Sequence, residues 1–387
     1  MDTTTIQTPT RKRVNLSNLL IGRPLETRSL AHQVVSKKVG LAVFASDAIS
    51  STAYATEEIL VILALAGSLA YLGLSLPIAI AIGVLLIIVT ISYRQTIFAY
   101  PNGGGAYIVA RDNLGEVAAQ IAGAALLTDY ILTVAVSISS GVAQIVSAFP
   151  DLAHFRVIIA VSVIAFMTIV NLRGVRESGA VFAVPTYFFL GMMFLTLGVG
   201  FFRWATGSLG TVTGVEFVTE TAAPLTLFLI LRAFSSGSTA LTGIEAISNG
   251  ITAFKEPRSR NAARTLVVMS SLLVVLFLGI TILSRHIQAI PSHHETIISQ
   301  MARTIYGAGS IPYLLLIAGT ALVLLMAANT SFADFPRLAA LHAGDGFLPR
   351  QLTYRGGRLV FSWGIMTLAL AASVLVIVMR ASTTALI

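Results

Sequence analysis

Residues 44–60 read FASDAISSTAYATEEIL: three carboxylates (Asp47, Glu57, Glu58), five serines and threonines and one tyrosine, inside a stretch otherwise apolar enough to cross a membrane. An ionisable group at membrane depth costs roughly 2.5–3.5 kcal/mol on insertion scales, and it is usually retained for function. Carboxylates and hydroxyls offer acceptor oxygens, so the chemistry available is coordination of a hard cation. Three further groups fit that chemistry. Tyr54 follows Asp47 by seven residues, two helical turns on. In TDYILTVAVS, Tyr130, Thr133 and Ser137 fall at i, i+3 and i+7, one face of a helix, with Asp129 just before them. Thr242, within SSGSTALTG at residues 235–243, and Glu245 just after it sit one turn apart.

Other chemistries are excluded or weak. The chain has no cysteine, so disulfides, thiolate catalysis and Cys-based metal sites are out. No catalytic triad, Walker A sequence or nucleotide fingerprint is present, so no enzyme activity and no cofactor is expected. His293, His294 and Glu295 fall in an outer loop, where chance explains them better than metal binding. Asn329 opens an NTS pattern, but inside a span, where it cannot accept a glycan.

The elements that must position these residues follow from composition. Of 387 residues, 56% are hydrophobic and 11% charged, with mean hydropathy +0.85. A soluble domain has about a quarter of its residues charged. Apolar runs of about twenty residues recur, the length of a membrane-crossing helix, and the short alternating segments of a β-barrel do not. The fold class is therefore all-α and polytopic in a lipid bilayer. Nine spans are expected, at 39–67, 71–98, 116–148, 156–174, 179–202, 223–252, 262–284, 311–334 and 359–379. Segment 102–114 is too polar to cross and is expected to be a short interfacial or re-entrant element. Residues 1–36 are polar and basic, lack the apolar core of a signal peptide, and read as a cytoplasmic tail. With the N-terminus inside, nineteen of the 25 Lys and Arg fall on cytoplasmic segments, five outside, and Arg232 within span 6. That bias accounts for the net charge of +8 without nucleic acid.

Two spans carry interruptions near their middle: ASDAISS at 45–51 in span 1, and 235–243 in span 6. Ser, Thr and Gly have poor helix propensity. Unwound backbone at membrane depth survives only where protein covers it or it lines a cavity. Such breaks at corresponding places in two halves point to a substrate site at an inverted-repeat interface. Small residues that merely let helices pack closely are the competing explanation, but each break also carries an acid, Asp47 or Glu245.

These broken spans, with YPNGGGAYIVARDNLG after span 2 and NTSFADFPRLAALHAGDGFLPR around span 8, resemble the amino acid–polyamine–organocation superfamily. Within it, ASDAISSTAYATEEIL and STALTGIEAISNGITAFKEP are most similar to the KimA-type potassium importers, over about residues 30–387. The resemblance implies a LeuT-like five-plus-five inverted-repeat fold. Residues 37–202 would form the first repeat, 203–222 an outer loop, and 223–387 an incomplete second repeat. It also implies potassium import coupled to protons. The ion sites would be lined by Asp47, Tyr54, Asp129, Tyr130, Thr133, Ser137, Thr242 and Glu245, with potassium itself at Asp47, Tyr54, Thr133, Thr242 and Glu245. Glu245 is expected to carry the proton. Thr330 and Ser331 occupy the place of a sodium-ligand pair in sodium-coupled proteins of this fold. Asp334 and Arg337, one turn apart, suit either an inner gate or a simple interfacial ion pair. Glu57 and Glu58 would collect cations or pair with Arg232, and Arg232 is also a candidate partner for Glu245.

Amino acid permeases of the superfamily typically break span 1 at glycines whose N–H groups cradle a carboxylate. Here the break has no glycine, and Asp47 would repel a carboxylate and attract a cation. An amino acid or polyamine permease is the alternative, since Asp47 also suits a polyamine's ammonium groups. A channel or receptor is disfavoured, because mid-membrane breaks argue for alternating access. A homodimer is one assembly the sequence leaves open. The last residues, MRASTTALI, follow directly on span 9. The five-plus-five fold needs a tenth span, which in the KimA-type pattern adds a tyrosine to the ion sites, so the chain is expected to be truncated and inactive alone. Relatives also carry a cytoplasmic region that binds a cyclic dinucleotide, and no such regulation is inferred from these residues.

Overall fold

The computed structural model describes residues 36–103, 105–174, 179–215, 224–292, 294–356 and 360–387, with the backbone alone at 69–71 and 179–182. The tail expected at 1–36 lies outside them except for Ser36, as do Arg176, residues 216–222 of the outer loop, His293 and Arg358. No strand occurs among the described residues.

Seven helical segments are long and apolar enough to cross a membrane: Leu72–Ala99, Glu116–Ala148, Pro150–Leu172, Ala183–Ala205, Leu227–Asn249, Arg258–His286 and Ile311–Gly344. Two of the nine expected spans fall short of that length for different reasons. The first is split into α1 (Lys37–Ser50) and α2 (Ala55–Ala64), with a 3-10 turn at Ser51–Ala53 between them. The last is 17 residues, Ser362–Val378.

The remaining helices are α3 (Ser75–Ala99), α4 (Gly105–Leu114), α5 (Glu116–Ala148), α6 (Arg156–Leu172) and α7 (Gly179–Ala205). They continue with α8 (Leu227–Gly237), α9 (Ala246–Asn249), α10 (Arg258–His286) and α11 (Ile297–Tyr306). The chain closes with α12 (Ile311–Gly344), α13 (Ser362–Val378) and α14 (Thr383–Leu386). The polar segment at 102–114 becomes α4, a short helix packed on α5. At 1.5 Å per residue α5 and α12 are each about 50 Å long, more than a bilayer's hydrocarbon thickness, so both extend beyond it.

α5 and α12 pack along each other as the central pair. α12 also meets α1, α7 and α13, while α10 lies against α3 and α1, and α2 pairs with α8. Outer faces are apolar: Ile80, Val84, Ile87, Ile88 and Ile91 of α3 are each at least 51% exposed, while Ile78, Ile82 and Leu86 point inward and are buried. Apolar surface on that scale belongs against lipid rather than water.

Three buried apolar clusters converge on the broken first span. Ala45, Ala48 and Ile49 join α7 and α10. Ala53 and Tyr54 join α5, α6, α12 and α13. Ala55, Ile59 and Leu63 join α3 and α8. Leu60 of α2 joins the first of these clusters as well, so the broken span is held on several sides at once.

Candidate functional site

The first break arises from its own hydroxyls. Ser50, Ser51 and Thr52 each donate to the carbonyl three residues back, at 2.7, 2.6 and 2.7 Å, and Ser46 does so at 3.2 Å. Such side-chain bonds offer the backbone an alternative to the α-helical ladder. The helix tightens to a 3-10 turn, and Tyr54, at φ −126°, restarts it as α2.

The second break is built alike. Ser238 donates to Phe234 at 2.8 Å and Thr239 to Ser236 at 2.8 Å. Thr242 then turns to ψ 140°, and Gly243 takes a left-handed φ of +82° before Glu245 opens α9.

The two breaks touch. Ser51 Oγ also reaches the Ala240 carbonyl at 3.2 Å. A Cβ on Gly243 would lie 2.8 Å from Ala48 N and 2.8 Å from Asp47 Cγ, so only glycine allows this approach. Asp47 is 4% exposed, and its carboxylate has no hydrogen bond or ion pair among the described residues. A buried carboxylate without a cation is strongly unfavourable. Its charged neighbours are Glu245, Asp129 and Asp334, all of its own sign.

The predicted face of α5 turns inward as a unit, with Tyr130, Thr133 and Ser137 all buried. The Ser137 hydroxyl has no partner among the described residues, and the Tyr130 hydroxyl accepts from Asn249 Nδ2 at 3.3 Å. Asp129 and Thr242 are half-buried, as is Glu245, whose charge faces Asp129 and Asp334. Arg232 is exposed on α8 and forms no ion pair among the described residues, so it neutralises neither Glu245 nor Glu57 and Glu58. Asp334 and Arg337 approach to 3.7 Å, but Arg337 is 72% exposed while Asp334 also faces the site carboxylates. Thr330 turns its hydroxyl back to Ala327 at 2.7 Å, and the buried Ser331 hydroxyl has no partner among the described residues.

Asn249 escaped the sequence reading. It links Tyr130 to the glycine-rich turn before α4: a Cβ on Gly105 would collide with its side chain, and one on Gly103 would lie 3.0 Å from its carbonyl. Its only advance signal was its place in ISNG, just after the second break.

A family model described as amino acid permease matches residues 40–387, nearly the whole chain. The chain belongs to the amino acid permease family. It is a family of transporters rather than enzymes, and this member is a multi-pass membrane protein. Over 373 residues, 96% of the chain, this permease-family member is 46% identical to a protein of Bacillus subtilis strain 168 named potassium transporter KimA. It spans about 61% of that relative's length.

Proposed function

We propose that this protein imports potassium together with protons, by alternating access across the cell membrane. The observation that carries the reading is Asp47, a buried carboxylate without a cation partner among the described residues, held in one helix break against Gly243 of the other. A substrate carboxylate brought there would meet charge of its own sign; a potassium ion would meet the charge and oxygens it needs. Asp47, Tyr54, Thr133, Thr242 and Glu245 supply those oxygens, with Asp129, Tyr130 and Ser137 beside them. The name of the 46% identical relative supports the choice of ion.

In this reading the fold is a LeuT-like inverted repeat. α1 and α2 form the broken first helix of one repeat, and α8 and α9 that of the other. Glu245 exchanges its proton as the ion enters and leaves, because a nearby cation favours the charged carboxylate and burial favours the neutral one. Asp334 and Arg337 close the inner side. The basic bias of the sequence puts the N-terminus in the cytoplasm, and the assembly is a monomer or a homodimer. Nothing in the site calls for a resident cofactor. A polyamine is the second reading, favoured by the match to an amino acid permease model and by the affinity of Asp47 for ammonium groups.

Rubidium uptake into liposomes holding the complete protein tests both. Uptake should be saturable, competed by potassium and not by spermidine, and absent in Asp47→Asn. Near-normal uptake by Asp47→Asn refutes the site, and competition by spermidine alone favours the polyamine.

A further inference from the structure

A cavity lies along α2, and its wall includes Tyr54, the residue that follows the first break. Tyr54 lines it and also feels the charge of Asp47. Glu57 and Glu58 line the same wall. Each carboxylate is oriented by one donor: Glu57 Oε2 accepts from Ile297 N–H at 3.2 Å, and Glu58 Oε1 from Thr384 at 3.1 Å. One donor leaves most of a carboxylate's acceptor capacity unused.

Two neutral oxygens complete the wall. Ser140 is 2% exposed and Tyr54 is 5% exposed; both line the cavity, and neither hydroxyl has a hydrogen-bond partner among the described residues. Both oxygens are therefore open to whatever the cavity receives. The balance of charge indicates what that is. Glu295 also lines the cavity, but Arg303 neutralises it at 3.0 Å. Arg156 lines it too, turning its guanidinium to the Ala381 carbonyl at 3.0 Å. Glu57 and Glu58 form no salt bridge among the described residues, so they are the acidic groups of the wall still open to a cation. Glu57, Glu58, Ser140 and Tyr54 offer oxygen alone, and although His294 also lines the cavity, no group of three or more His, Cys, Asp or Glu close enough to hold a metal ion occurs among the described residues. That combination suits a monovalent alkali cation better than a divalent or transition metal.

We propose that this cavity is a second cation site, a loading site for an alkali ion, separate from the one at Asp47. Glu57 and Glu58 supply its charge, Ser140 and Tyr54 its neutral oxygens, and Tyr54 forms the wall shared with the Asp47 site. Holding an ion there raises the local cation concentration at the entrance to the break. The proposal rests on the cation reading of the protein given above.

Equilibrium binding of radioactive rubidium to the purified complete protein tests it apart from transport. The parent should show a second, weaker binding component that persists in Asp47→Asn. Glu58→Gln should weaken that component roughly thirtyfold or more, as for loss of a charged partner in a buried site. Ser140→Ala, which leaves the charge intact and serves if Glu58→Gln fails to fold, should weaken it about fivefold. A single component in the parent, loss of all binding in a monodisperse Asp47→Asn protein, or an unchanged weak component in both Glu58→Gln and Ser140→Ala overturns the loading site. If Asp47→Asn binds like the parent, the central-site reading fails instead, and Glu58→Gln still decides the outer one.

Discussion

Replacing Gly243 by alanine tests whether the two helix breaks meet as described. Gly243 has φ +82°, a backbone conformation that costs a residue with a side chain about 1–2 kcal/mol. The added Cβ would also stand 2.8 Å from Ala48 N, 2.8 Å from Asp47 Cγ and 2.9 Å from Asp47 Cβ. These atoms belong to backbone or lie close to it and cannot swing away, so relief requires the breaks to part. Overpacking of that kind costs about 1–3 kcal/mol more. Gly207 supplies the control. Its φ is +69°, yet nothing lies within 4 Å of the place an alanine methyl would take, so Gly207→Ala carries the backbone cost alone. The difference between the two variants is therefore the collision itself. At 1.4 kcal/mol per decade, 1–3 kcal/mol corresponds to about five- to 150-fold. Because the collision pushes Asp47, the loss should appear in ion affinity as well as stability. Rubidium binding and thermal unfolding of the complete protein would be measured for both variants. Gly207→Ala should bind as the parent does, and Gly243→Ala should bind about ten- to a hundredfold more weakly. If Gly243→Ala matches Gly207→Ala in both measurements, the breaks do not touch at Asp47 and the site geometry is wrong.

Glu245→Gln should flatten the pH dependence of rubidium uptake while some binding persists, since the variant cannot exchange a proton at that position; uptake that tracks pH as in the parent assigns the proton to another residue. Gly237 lies against Ile59 and Ile82 where α8 crosses α2, so Gly237→Val should lower the stability of the folded protein by about 1–3 kcal/mol, and an unchanged unfolding temperature would contradict that close approach. The Tyr107 hydroxyl donates to Asp345 Oδ2 at 2.6 Å, and burial, with that bond, pushes its pKa above the usual 10. It therefore keeps its proton at neutral and mildly alkaline pH, so Tyr107→Phe should lower stability by about 1.5–3 kcal/mol equally at pH 7 and pH 9; a loss seen at only one of these would refute it.

Much of the fold was legible because it rests on composition. Long apolar runs bounded by polar turns mark the spans, and their ends shift by only a few residues at α6 and α10. The breaks were legible as clusters of Ser, Thr and Gly. What could not be read was partnership. Span 8 was expected to end at residue 334, yet α12 runs on to Gly344 through Pro336, because a proline deep in a packed helix is tolerated when neighbours hold it, here Gly364 of α13. Arg232 looked like a counter-ion for Glu57, Glu58 or Glu245 on sequence distance alone; the helix turns it outward. Asp334 was read with Arg337, three residues away, and its exposure to the Asp47 site comes from packing between distant segments. Ser140 carries no motif, and Asn249 sits inside a quoted stretch with nothing to single it out; what each touches exists only in three dimensions.

The carboxylates also bear on why ion and proton would be coupled at all. Asp47 faces Glu245, Asp129 and Asp334, and among the described residues the one basic side chain paired with any of them, Arg337, is mostly in solvent. Like charges gathered at low dielectric repel strongly, so the cluster is stable only with positive charge inside it. Under the potassium reading two sources of that charge compete for the same oxygens. Each ion that enters makes a proton easier to release, and each ion that leaves makes one easier to hold. No dedicated relay is required, because the coupling follows from having more acids than protein cations around one break. A basic residue introduced among them, such as Thr242→Lys, would supply the missing charge permanently. It should abolish both the stronger, central component of rubidium binding and the pH dependence together, whereas loss of one without the other would mean that the ion and the proton occupy separate sites.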